Sequence, residues 1–158
     1  MTSLTLTPGA LDKALLQRAA AGPLTLAIAA SARAAIEATF QASNQGRIRF
    51  GEVIAGLVTA GVESYHVDYR AGRSVCYLPD DTTLDLAFER PHAPIGTAFD
   101  ADGVRSAIRG AQQGRVMYPE FKALTQAAGC IGYTVWIAGR HVVYLGRHGE
   151  SHVERFPD

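Results

Sequence analysis

Three side chains in this sequence could act together chemically. Tyr65, Val67 and Tyr69 alternate with His66 and Asp68, a period of two that predicts a strand. A return strand over Arg73–Leu78 follows a turn at Gly72. Pairing Tyr65 with Tyr77 and Val67 with Val75 sets Cys76 directly opposite His66, with Asp68 two residues along on the same face. A thiol beside an imidazole can ionise and become a nucleophile, and a carboxylate can orient the imidazole. His66, Asp68 and Cys76 are therefore the catalytic candidates. No glycine-rich oxyanion loop or recognised cysteine-protease signature accompanies them, so no residue is assigned a catalytic role. The same pairing places Ser74, Thr134, Trp136 and His141 on that face as ligand or interface candidates. Trp136 has the character of an interface anchor, and a core position suits it equally well.

The remaining motif-level chemistry is sparse. His141, His148 and His152, with Glu150 and Glu154 nearby, are zinc-type ligands. They lack any tight ligand spacing and read as surface histidines, so no metal and no cofactor is assigned. Gly72, Gly103, Gly110 and Gly114 form neither a phosphate loop nor a dinucleotide fingerprint. Arg47 and Arg115 are expected to bond carbonyls at a helix corner, or to pair with Glu52 and Glu120.

The elements that position these residues come in two copies. Gln45-Gly46-Arg47-Ile48 recurs as Gln113-Gly114-Arg115-Val116, and Ala60-Gly61, Tyr65 and Val67 recur as Ala128-Gly129, Tyr133 and Val135. After one deletion, Gly72-Arg73, Val75, Tyr77 and Leu78 match Gly139-Arg140, Val142, Tyr144 and Leu145. Two copies are too few for a solenoid and predict one domain with an internal pseudo-two-fold. Residues 31–90 form the first repeat, 99–157 the second, and 1–25 a helical extension opened by Thr7-Pro8.

Each repeat reads as a helix pair followed by three strands. Helices are predicted over Leu26–Ser43 and Phe50–Ala60, then over Asp102–Gln113 and Tyr118–Ala128, with Asp100 or Asp102 as a cap. Gly61 and Gly129 are left-handed stop positions. Strands follow at Tyr65–Tyr69, Arg73–Leu78 and Thr82–Phe88, then at Tyr133–Ile137, Arg140–Leu145 and Ser151–Phe156. The second hairpin turns at Ala138-Gly139, and the first needs a three-residue loop, Arg70-Ala71-Gly72, to keep equivalent pairs opposite. The expected fold is α+β, with helices packed on one face of an antiparallel sheet built from two meanders.

Composition narrows the function. The chain has 158 residues, of which 47% are hydrophobic, enough for one sizeable core. Fifteen basic and fifteen acidic residues cancel, which argues against nucleic acid or an anionic membrane as partner. Cys76 and Cys130 occupy non-equivalent positions and read as free thiols of a soluble, cytoplasmic protein.

Several strings also resemble a known family. They are Phe50-Gly51-Glu52-Val53, the run Ala60 to Asp68, the run Gln113 to Phe121, Ala128-Gly129-Cys130, and His152 to Pro157. Together they resemble an uncharacterised bacterial family, a YbcV-like domain of unknown function whose members are often labelled phage envelope proteins. The resemblance runs from roughly Ala30 to the C-terminus and implies no catalytic residue.

Two function classes follow. The preferred one is a non-catalytic binding or protein-interaction module. The other is a small enzyme or small-molecule-binding protein using His66, Asp68 and Cys76. The second sheet face, with Leu78, Trp136, Val143 and Leu145, is too apolar to stand open on a monomer. The expected cover is the 1–25 extension or a second copy of the chain, hence a homodimer.

Overall fold

Apolar residues at helical spacing and well-placed caps produce two helix pairs. The computed structural model describes residues 30–88 and 93–158; the expected N-terminal helix and the 1–25 extension lie outside the described residues. Helix α1 covers 30–44, buries Ile36, and is followed by α2 (Phe50–Thr59), which buries Val53 and Leu57. In the second pair, α3 (Ala101–Gln112) begins at Asp100, whose carboxylate accepts the Gly103 N–H at 3.1 Å. Helix α4 (Tyr118–Ala127) carries Pro119 in its first turn, where a missing N–H costs nothing.

The strands are β1 (Ser64–Asp68), β2 (Arg73–Tyr77), β3 (Thr83–Ala87), β4 (Cys130–Trp136), β5 (His141–Gly146) and β6 (Ser151–Arg155). They form one sheet in the order β3-β2-β1-β4-β5-β6, antiparallel at every pairing. The α+β architecture is as expected. Each meander runs outward from the central β1–β4 pair, where His66 stands opposite Thr134. Backbone conformations echo this order. Left-handed residues occur at Gly46 and Gly114, at Gly61 and Gly129, and at Asp81 and Gly149. Gly129 is irreplaceable for a second reason, because a Cβ there would lie 2.1 Å from the Ala98 carbonyl oxygen. The corner arginines behave differently from expectation. Arg47 and Arg115 donate from Nε to the side-chain oxygens of Gln45 and Gln113, at 2.7 and 2.9 Å, rather than pairing with glutamates.

The second hairpin has the expected register, with Tyr133 opposite Tyr144 and Val135 opposite Val142. The first does not. Tyr65 pairs with Cys76, His66 with Val75 and Val67 with Ser74. The turn supplies the cause. Four residues, 69–72, connect Asp68 to Arg73 instead of three. The Asp68 carboxylate accepts the Ala71 N–H at 2.9 Å, and the Gly72 N–H donates to the Asp68 carbonyl at 3.0 Å. Gly72 is left-handed, as expected, at φ 69°. A slip of one residue reverses the facing of every side chain on β2 relative to β1.

Candidate functional site

The register decides which residues can meet. Strands β1 and β2 send Tyr65, Val67, Ser74 and Cys76 toward the helices, and all four are buried. His66 and Asp68 face the opposite, open side of the sheet. The structure thus separates Cys76 from His66, and no nucleophile–base pair forms. Burial also pushes the Cys76 thiol up to about 12, away from the range where a thiolate is available. Asp68 holds the hairpin turn. His66 Nδ1 lies 2.8 Å from the Thr134 hydroxyl across the central strand pair, and burial lowers its pKa against an opposing pull from Asp68. Ser74, expected beside them, is inside instead.

The open face carries Tyr77, Val75, His66, Thr134, Trp136, His141, Val143, Leu145 and Val153 in adjoining register positions. Trp136 is 45% exposed and stacks on His141 with centroids 6.5 Å apart. Val153 is 51% exposed. The residues 1–25 proposed as a cover lie outside the described residues. His152 belongs to the other face, stacked on Tyr144 and 3.1 Å from the Glu154 carboxylate. Among the described residues, no three His, Cys, Asp or Glu side chains gather as a metal-ligand set. No helix among them is long and apolar enough to cross a membrane.

The concave site lies on the helix side. Both helix pairs and the inner sheet face line a cavity of about 630 Å3 that opens to solvent. Its walls include Phe40, Ile54, Ile108, Val116, Phe121 and Val142, and four tyrosines, Tyr65, Tyr118, Tyr133 and Tyr144. Rings pack edgewise or tilted at Tyr65–Tyr133 (6.4 Å), Tyr133–Tyr144 (5.5 Å) and Phe40–Tyr65 (5.3 Å), while Tyr118 stacks on Phe121 at 6.2 Å. The Tyr118 and Tyr133 hydroxyls are 2.6 Å apart. Burial raises the pKa of each tyrosine; neighbouring phenols add to the rise at Tyr65, Tyr133 and Tyr144, whereas the bond to Tyr133 opposes it at Tyr118, and all four stay neutral. Charges sit at the mouth, where Arg49, Glu52, Arg140 and Arg155 are exposed. Phe50, 43% exposed, packs edge-on against Phe156 there at 5.7 Å.

None of these cavity residues was singled out from the sequence as a site. Tyr65, Tyr133 and Tyr144 read as packing partners. The available signal was a residue with a polar tip recurring at core-facing positions of similar strands, Tyr65 on β1 and Tyr133 on β4. Lys122 was also missed; it is buried, with Nζ over the rings of Phe88 and Tyr118 at 4.9 and 5.2 Å.

No curated protein matches the chain. Residues 54–153, which include all six strands up to the middle of β6, match the family described as Protein of unknown function (DUF1398). That match spans well over half of the sequence, and the chain belongs to this family of unknown function.

Proposed function

We propose that this protein is a non-catalytic binding module that holds a small, mostly apolar molecule in the cavity between its helices and sheet. The carrying observation is the cavity itself. Its volume, about 630 Å3, lies within the range of small-molecule sites, and it joins aromatic and aliphatic walls to a few placed hydroxyls. The sealed, neutral Cys76 thiol favours binding over covalent catalysis. We also infer that the two halves arose by duplication. The sequence repeat, the outward-running meanders and the left-handed residues at matching positions support that reading. The YbcV-like resemblance and its phage-envelope label add no ligand to it.

Nile red, a neutral apolar dye, tests the proposal. It is expected to bind with one-to-one stoichiometry and enhanced emission. Ala111→Trp, which fills the cavity from α3, should abolish the enhancement while far-ultraviolet dichroism stays unchanged. Loss of binding with Trp136→Gln instead, and not with Ala111→Trp, would move the site to the open sheet face and overturn the proposal.

A further inference from the structure

We infer that the ligand carries a neutral hydrogen-bond-acceptor oxygen, of ketone, ester or amide type, seated among the hydroxyls of Tyr65, Tyr144 and the Tyr118–Tyr133 pair. This rests on the cavity reading above and names the chemistry the cavity would recognise. Tyr65 is 2% exposed and Tyr144 is 6% exposed, and neither hydroxyl bonds to a described residue. Neither is a fully enclosed orphan; among the described residues only Gln126 Oε1 is. A side chain so deeply buried keeps an accessible hydroxyl only where it meets internal space, and both residues line the cavity. Buried polar groups without partners are costly, and structures keep few of them.

The Tyr118–Tyr133 pair adds a third donor. Two hydroxyls hold two protons, and their mutual bond uses one. Three O–H protons are then available on one group of packed rings. A phenol oxygen shares a lone pair with its ring, so it donates better than it accepts. The complement is an acceptor.

Charge decides which acceptor. Desolvation that keeps four phenols neutral would equally penalise a buried carboxylate. The arginines of the lining are exposed, at the mouth, and Glu154 lies close enough to Tyr144 to raise its pKa. Lys122 lies over the Tyr118 ring but is not part of the lining. A neutral oxygen on an apolar body satisfies the hydroxyls without bringing an anion toward Glu154.

Fluorene, 9-fluorenone and fluorene-9-carboxylate share one ring shape and separate the possibilities. By equilibrium dialysis, the ketone should bind about tenfold more tightly than the hydrocarbon, the effect of one or two net hydrogen bonds. Tyr65→Phe and Tyr144→Phe should each bring the ketone toward the hydrocarbon and leave fluorene binding equal or tighter. Both variants should melt no lower than the parent, because the deleted hydroxyls bond to no described residue; a lower melting point would mean a structural role and overturn the assignment. Equal binding of ketone and hydrocarbon, untouched by the variants, would overturn the acceptor while leaving the cavity reading intact. Tighter binding of the carboxylate would overturn its neutrality. Failure of all three probes together with Nile red would overturn both readings.

Discussion

Tyr77 and Tyr144 occupy matching places in two similar stretches of the sequence and lie on opposite faces of one sheet. Tyr144 is 6% exposed, on the helix side, and lines the cavity; Tyr77 is 39% exposed, on the open side. Two neighbouring pairs behave in the same way. Val142 is buried while Val75 is only half-buried, and Cys76 is buried while Val143 is half-buried. The difference comes from the turns. The first hairpin is closed by a four-residue loop fastened to Asp68, and the pairing shifts by one relative to the second. Near-identical strands therefore present opposite sets of side chains. One consequence is that the cavity draws its sheet tyrosines from β1, β4 and β5, and none from β2.

The largest effect that could break this comparison is on stability. Tyr144→Ala removes a buried ring from the core and should cost about 3–5 kcal/mol, whereas Tyr77→Ala on the open face should cost less than about 1 kcal/mol. Urea unfolding of the two variants measures both. Equal losses would mean that the first hairpin has the same register as the second.

Cys76 and Val143 sharpen the same contrast at a smaller scale. Cys76→Ser puts a hydroxyl at a fully buried position and should destabilise by about 1–3 kcal/mol. Val143→Ser, half-exposed, should cost less than about 1 kcal/mol. Both cysteines are free and buried, so alkylation at neutral pH should follow unfolding, with no fast phase. Rapid labelling of Cys76 in the folded protein would restore a reactive-thiol reading and contradict the register.

Helix positions, strand positions and the α+β class were legible because they depend on local periodicity and on caps such as Asp100. The second register was legible because its turn, Ile137 to Arg140, is short and closed by the Arg140 N–H on the Ile137 carbonyl. The first was not. Its register depends on whether the Asp68 side chain captures the Ala71 N–H, a competition between turns of similar length. The site was obscured for a related reason. His66, Asp68 and Cys76 carry reactive groups and draw attention, but their meeting depended wholly on that turn. A cavity depends instead on how far helices stand from a sheet, which no strand or helix pattern encodes. Only the recurring tyrosines pointed toward it.

The smallest expected effect concerns the centre of the sheet, where β1 supplies His66 and β4 Thr134, 2.8 Å apart. Burial lowers the folded-state pKa of His66 below its ordinary 6.5, with Asp68 partly opposing the shift. The unfolded chain then binds the proton more readily than the folded one. Stability from this group is complete above about pH 6.5 and is lost as pH falls from there toward the lower folded value. His66→Thr gives both strands the same residue at this position and removes that proton. Urea midpoints at pH 7.5 and pH 5.5 should draw together in the variant relative to the parent, because the other histidines contribute equally to both. An unchanged gap would mean that His66 is as well solvated folded as unfolded, and that the central pair is open to water in a way its partly buried position does not suggest.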